Sequence, residues 1–581
     1  MKKRTKKILF ISLAVTLVIV FALGLSMNLI LSNILDKTIK SELKKLSESG
    51  ELDIRVDKVR VNVFSRSLIF KGIIAVPDSS FLEDFKNGNS LKPTLPKVSI
   101  SSLKLKGIDI YDFVINREVH LNRIAIDDVD LTLFKTSKYK KLPKEEMTNS
   151  TFSIDSIMIK GLNEISLSKI EIESYDFRMI DVITKDTFNS YNGSEFEIRG
   201  ISLDAYHGTN GYFKFNTEKL RIKLRRQRFD LKGGNYYLYF NKFDFSFSDS
   251  LIIISEFAFK PKKDRFKIAA SQKFNNIVFD AEVKEVSIHG FKIGAMIRNG
   301  IVDIDSVVVD GLKMELYKDK NKPFDLDKRP LFPQQGLKKL KLPLHIDKVI
   351  VKNSRLNYTD KPEKKEKLMV VDLTEMSADI NFITSIKDSL KSGKYLSVNF
   401  KAKLMNASDL RVDLIMPYNS RVDTFYYSGS LGRAQFVKFN PAIYPATGIK
   451  FDKGTLNSLE FAVQASPKRA EGIMTMLYDD MEAEITKKDV EKKDKTLSWL
   501  VNAVLPQSNP NKNGNVKVVV MEADRVSHKG MVNLIWKSVQ SGLVNTILPT
   551  GKKVKEDKKK DSGKDNKNKK DKKKWWQKKK K

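Results

Sequence analysis

Cysteine is absent from the 581 residues. That removes thiolate metal sites, disulfide staples and cysteine nucleophiles together. Histidine is scarce: His120, His207, His289, His345 and His528 never form a close pair, no HExxH occurs, and each reads as a strand or loop residue. A GxSxG elbow, a P-loop and a GxGxxG after a strand are also missing. Carboxylates are common but alternate with apolar residues, which makes them solvent-face groups. Asp127-Asp128-Val129-Asp130 lacks the Gly and spaced ligands of a calcium loop and reads as a solvated edge. The sequence points to no enzyme, no cofactor and no metal. Long helical periods are lacking as well between about residues 51 and 460.

Positive charge is abundant, and half of the net +34 sits at the two ends. Residues 1–7 hold five cations, and Lys552–Lys581 holds seventeen lysines against five acids. The body between them is only mildly basic, with Lys interspersed among Asp and Glu, which argues against a nucleic-acid partner.

Ile8–Leu35 contains no Asp, Glu, Lys, Arg or His. A bilayer core needs about 20 such residues as a helix, and the basic residues 1–7 place the N-terminus on the cytoplasmic side. A cleaved signal peptide has the same basic start but a shorter apolar region, so the expectation is an uncleaved inner-membrane anchor over 8–35 with the body in the periplasm. Leu31, Ile34, Leu35, Ile39, Leu43 and Leu46 then recur at spacings of three and four, an amphipathic helix over 36–50 lying on the first sheet or on the membrane surface.

From Leu52 the period becomes two. Leu52, Ile54 and Val56 alternate with charges, and Val59 and Val61 resume after a phase slip at Asp57-Lys58, the mark of a bulge or turn. This apolar-x-x-apolar-x-apolar unit, often ending in Gly or Asn, recurs from Ile100 (Leu103, Leu105), Leu121, Ile154 (Ile157, Ile159), Leu167, Val283, Ile304 and Ile346. Eight copies predict a stack of similar strand–bend–strand units. Leu220 and Ile222, Phe243, Phe245 and Phe247, and Phe257 and Phe259 extend the apolar side through an aromatic middle. Phe81–Pro96, Lys318–Pro333 and Tyr358–Lys367 read as irregular loops. The fold expected over 51–525 is mainly β, an elongated, twisted, repetitive antiparallel sheet. It either curls into an apolar-lined groove or packs on itself as a sandwich.

Towards the end, Leu497–Leu505 reads as a short apolar helix and Val516–Val520 as a buried strand. Val532, Ile535, Trp536, Val539, Leu543 and Ile547 line one face of an amphipathic helix within 526–549. The tail 550–581 is low in complexity and expected to be disordered.

In its order of parts the chain resembles the AsmA-like superfamily of bacterial envelope proteins, of AsmA, YhdP and TamB type. The resemblance rests on the basic end, single anchor, amphipathic helix and Leu52–Gly72, on the repeated strand–Gly units, and on Glu471–Tyr478 and Asn533–Gly542. It implies an open apolar β-groove carrying phospholipid between inner and outer membranes, and it brings no catalytic residue. The alternative is an anchored structural or interaction module with closed sandwiches and no lipid cargo. The lysine tail, with Trp575-Trp576, reads either as a dock on anionic headgroups of the outer membrane or as a solvated charge run.

Overall fold

The computed structural model describes residues 24–45, 47, 52–89, 94–108, 118–136, 164–205, 213–216, 220–231, 233–485, 505–548 and 551–554. The chain is mainly β, as expected, and among the described residues 23 strands join in one sheet. They follow one another almost in single file. β1 (Leu52–Asn62) pairs with β2 (Ser67–Pro77), which pairs with β3 (Thr94–Lys106). The short β4 (Glu118–Leu121) and β5 (Arg123–Lys135) share one lane between β3 and β6 (Glu164–Asp181). β7 (Thr187–Ala205) follows, then a lane shared by β8 (Phe213–Asn216) and β9 (Arg221–Asp230), then β10 (Tyr236–Ser246), β11 (Leu251–Pro261) and β12 (Val278–His289). β13 (Val302–Asp310) and β14 (Lys313–Asp319) share the next lane. β15 (Leu344–Lys361), β16 (Met369–Thr384), β17 (Tyr395–Leu404) and β18 (Ser408–Pro417) come after it. β19 (Phe425–Leu431) and β20 (Ala434–Gln435) share a lane before β21 (Ile449–Ala465), β22 (Arg469–Ile485) and β23 (Val518–Asp524).

The sheet is mixed, which corrects the antiparallel expectation. β4 and β5 run parallel to β6, and β13 and β14 run parallel to β15. Parallel neighbours need a crossover of a dozen or more residues. After β14 this crossover is residues 320–343, which contain α5 (Pro333–Lys339); α3 (Arg265–Ser271), α4 (Ile293–Asn299), α6 (Lys387–Lys391) and α7 (Asn440–Thr447) are further short helices between strands. The Lys318–Pro333 segment, expected to be only a charged loop, is thus the first half of a strap leading from one end of the lane back to the other.

Period-2 alternation leaves one apolar face, and bulges keep it in phase. The positions on this face step by three at Val56/Val59, Phe70/Ile73, Ile100/Leu103, Ile126/Val129 and Ile172/Tyr175, and again at Leu224/Gln227, Phe240/Phe243, Ile254/Phe257, Val283/Val286 and Val351/Ser354. These steps lie beside one another. Left-handed backbone recurs along the same line at Asp128, Glu195, Arg226, Glu256, Asn353 and Glu375. A bulge bends its strand and increases its twist, so the line is a crease across β1–β16. Polar side chains stitch it: Arg226 to Glu195 at 2.8 Å, Asn241 to Glu256 at 3.2 Å and Asn353 to Asp310 at 2.8 Å. The crease ends at β17, which pairs with β18 over ten residues without a shift.

Beyond the crease a core begins. Phe425, Tyr427, Val463, Met474 and Met521 on the apolar face are buried under α8 (Met531–Ile547) and α5. Phe332, just before α5, meets Phe425 edge-on with ring centres 5.6 Å apart. Asp423 ties α5 down, accepting from Lys338 at 2.6 Å and Gln335 at 3.0 Å.

Both edges of the sheet are covered. Residues 24–45 form one helix, α1, that runs along β1. Asn28, Ser32 and Asp36, one turn apart, accept the backbone N–H groups of Val63, Val61 and Val59 at 2.7, 2.8 and 2.7 Å. Ser47 accepts that of Ile54 at 2.9 Å. An unpaired strand edge is an aggregation template, and this polar stripe blocks it. At the other edge Val520 N–H donates to Lys552 and Val554 N–H to Val518.

Several expectations change. Helix α1 continues through the boundary set at residue 35/36, and from Asn28 onward its polar side is docked on β1. Residues 8–23 lie outside the described residues; among the described residues no helix is long and apolar enough to cross a membrane. Leu31, Leu35, Ile39 and Leu43 are half-buried, Ile34 is exposed, and the Leu46 side chain lies outside the described residues. Part of the expected Phe81–Pro96 loop is α2 (Ser79–Asn87), capped by Asp78 and anchored by buried Phe85. The tail does not begin at 550 as a free end, since 551–554 are described and pair with β23. Residues 497–504 and 154–161 lie outside the described residues.

Candidate functional site

The apolar face carries one unbroken row, one residue per lane. It reads Val61, Leu68, Leu105, Ile124, Ile170, Ile198, Ile222, Phe245, Ile252, Ile288, Val307, Val349, Ile380, Val398, Leu414, Tyr427, Val463, Gly472 and Met521, each the register partner of the next. No polar side chain interrupts it except the hydroxyl of Tyr427.

The expected lining residues fall on this face. Leu52, Ile54, Val56, Val59 and Val61 lie on β1, Leu103 and Leu105 on β3, Ile222 on β9, and Phe243, Phe245, Phe257 and Phe259 on β10 and β11. Leu220 precedes β9 in phase with Ile222, and Phe247 follows β10 with its ring 6.3 Å from that of Phe245. Ile157 and Ile159 lie outside the described residues. Burial divides the face. In β1–β16 most of these side chains are only half-buried, with Val56, Val59 and Phe245 the buried members of the expected set. In β17–β23 the same face is closed by α5 and α8.

An aromatic ladder that alternation alone did not reveal crosses the middle of the face. Tyr191 stacks on Phe229 at 5.2 Å and meets Phe177 at 5.1 Å, and Phe229, Phe240 and Phe243 continue at 6.0 Å intervals. The bulges put residues three apart on one side, so a period-2 reading scatters these rings over both faces. One polar group sits among them. Gln227, 1% exposed, accepts from the Tyr175 hydroxyl and donates to the Arg225 carbonyl at 2.7 Å. Burial pushes the Tyr175 hydroxyl up to about 12, so it stays protonated as the donor this pair needs.

The opposite face is charged and internally paired. Lys260 bridges Asp280 at 2.7 Å and Glu282 at 2.6 Å, and Arg225 meets Asp244 at 2.6 Å. Burial alone would raise the Asp244 carboxyl, but hydrogen bonds from Arg225 and Lys242 outweigh it and hold the group below its usual range. In the 127–130 cluster Asp127 pairs with Lys104 at 2.6 Å, Asp130 with Arg178 at 2.5 Å, and Asp128 binds Ser101 and Ser174 along the crease. Each carboxylate is separately engaged, and none converges on a shared centre.

No family model matches the chain, and no curated protein is significantly similar to it in sequence.

The terminal helix differs from its expected face. Toward the sheet α8 presents Leu534, Ser538, Gly542 and Thr546, a stripe at spacing four. Ser538 pairs with the Tyr427 hydroxyl at 2.5 Å, and Gly542 lies against Met474 and Met521. Ile535, Val539 and Leu543 flank this stripe and Ile547 is buried, while Val532 and Trp536 point outward, 76% and 53% exposed. Small residues let the helix axis approach the methionines, so the contact face follows size rather than hydrophobicity.

Proposed function

We propose that this protein is a membrane-anchored periplasmic carrier whose apolar face holds and conducts phospholipid acyl chains between inner and outer membranes, in the manner of the AsmA-like proteins. The observation that carries this reading is the unbroken apolar row, most of whose side chains over β1–β16 are only half-buried. A soluble surface rarely exposes contiguous apolar area beyond a few hundred Å². A lipid tail laid along it regains about 0.8 kcal/mol for each CH₂ withdrawn from water. The thirteen lanes from β1 to β16 at about 4.8 Å each give a path on the order of 60 Å. The crease supports a curled, groove-like cross-section, because the bulged strands between β1 and β16 bend on the same line.

The N-terminal end suits an inner-membrane anchor with the N-terminus cytoplasmic. Leu25, Met27, Leu29, Ile30 and Ile34 are all exposed on α1, and they continue the uncharged run that begins at Ile8. The lysine tail suits contact with anionic headgroups at the far end. A second reading, an envelope interaction module without cargo, draws on the closed core of β17–β23.

Mass spectrometry of lipid co-purified with the full chain separates them. The carrier reading expects stoichiometric phospholipid on the wild type and its loss in the double variant Phe243→Asp, Phe259→Asp. Lipid-free wild-type protein, or equal lipid on both, would sink it.

A further inference from the structure

The apolar face ends in a cationic cluster. On β14, Met314, Leu316 and Lys318 point to one side, and on β15 so do Leu356, Tyr358 and Asp360, with Lys318 the register partner of Asp360. Lys318 therefore stands about 7 Å beyond the last apolar pair, Leu316 and Tyr358. Next to that pair, Phe279 of β12 is 42% exposed on the same face. The strap after β14 brings Phe324 over this corner, and Lys318 and Lys529 approach its ring at 5.6 and 4.2 Å. His528 meets the ring at 5.5 Å.

Charge at this corner is out of balance. Asp360, on this side of β15, is 1% exposed and its Oδ2 is already held by Lys320 at 2.7 Å and the Tyr358 hydroxyl at 3.1 Å. Among the described residues neither Lys318 nor Lys529 has a carboxylate within ion-pair distance. Burial holds both ammoniums below the usual lysine range; at Lys318 it outweighs the opposing charge of Asp360, and at Lys529 the charges of Lys318, Lys537 and Lys320 add to it. His528 Nε2 is buried with no hydrogen-bond partner. Two half-buried cations without a counter-ion, at the margin of an apolar surface, are incomplete without an anion.

We propose that Lys318 and Lys529 bind the phosphate of a phospholipid headgroup whose acyl chains lie on Phe279, Leu316 and Tyr358. The cluster stands on β14 and β15, among the last lanes before the closed core, so it is a headgroup station near the end of the path. This rests on the lipid reading for the acyl chains but not for the anion.

The test uses the full chain in detergent and three probes: a short-chain phosphatidylglycerol, the matching diacylglycerol without phosphate, and glycerol phosphate. Lys318→Met with Lys529→Met should weaken phosphatidylglycerol at least tenfold and leave diacylglycerol unchanged, while the Lys→Arg pair restores binding. Circular dichroism melts confirm that the variants fold. Unchanged phosphatidylglycerol binding in the folded Met pair overturns the proposal. Glycerol phosphate bound as tightly as phosphatidylglycerol also overturns it, since the site then takes free phosphate esters. If the wild type binds neither lipid, the carrier reading falls with the headgroup station; glycerol phosphate binding that still depends on the two lysines would then leave a plain anion site.

Discussion

Gly72 of β2 lies under Asp57 of β1, so closely that a Cβ on residue 72 would stand 1.9 Å from Asp57 Oδ2. The same seat recurs for Gly107 under Asn122, Gly290 under Asp305 and Gly311 under Lys284, with φ between +61° and +73° at all four glycines. In each case the seated residue is the second of an apolar-x-x-apolar unit on the adjacent strand. The two halves of the sequence repeat are therefore partners across a strand pair.

Substitution at these seats should be costly. Gly72→Ala and Gly290→Ala combine a left-handed backbone, about 1–2 kcal/mol, with a clash against a short side chain, and each should lower stability by about 2 kcal/mol or more in urea titration. Gly336 in α5 has open space around it and ordinary φ, so Gly336→Ala should stabilise by about 0.5–1 kcal/mol. Equal effects at both kinds of site would refute the seat.

The edge helix makes a second prediction. Asp36→Ala removes the acceptor for Val59 N–H, a net loss of about 1 kcal/mol. Amide hydrogen exchange should quicken at Val59 and its β1 neighbours and stay unchanged on β23. Uniform exchange across both edges would argue that α1 does not guard β1.

Helix α8 offers a paired test of its two sides. Gly542→Leu forces side-chain atoms into Met474 and Met521 and should cost about 1–3 kcal/mol by overpacking. Trp536→Ala, on the exposed side, should change the melting temperature little. The reverse order would restore the face expected from hydrophobicity.

A pH dependence follows from Lys517, whose ammonium donates to the carbonyls of Thr546 and Leu548 at the end of α8. Burial first, and then the charge of Lys553, lower it to about 8, against about 10.4 in an unfolded chain. Between those values the unfolded state binds a proton that the folded state does not, so stability rises with pH across the window. Wild type measured against Lys517→Met should gain stability from pH 8 to pH 10 and be flat below pH 8. A difference that shrinks with rising pH would contradict the assignment.

Much of the sheet was legible because alternation is a local property: Leu52–Val61 and Phe243–Phe247 lie on the face their spacing predicts. The phase slip at Asp57-Lys58 was legible too, as a bulge. What a local pattern cannot encode is which strands run parallel. Lys318–Pro333 reads as a charged loop whether it makes a turn or a crossover. The ladder of Tyr191, Phe229 and Phe240 was hidden because bulges on three strands had to be placed before the rings could be aligned. The buried side of α8 was misread because Ser538 and Gly542 owe their contact to small size. Lys318 and Lys529 lie more than two hundred residues apart, and only the strap and the segment before α8 bring them to one phenylalanine.

The two guarded edges fix how many lanes the sheet can have. With α1 holding the Val59, Val61 and Val63 N–H groups and Lys552–Val554 along Val518–Val520, the edge groups that a further strand would use there are already taken. The length of the sheet is therefore set by the count of strands in the sequence. An insertion or deletion of a whole antiparallel pair between β2 and β12 would change the length by about 10 Å and return the chain in the same direction and on the same face. Both fittings at the ends would be left as they are.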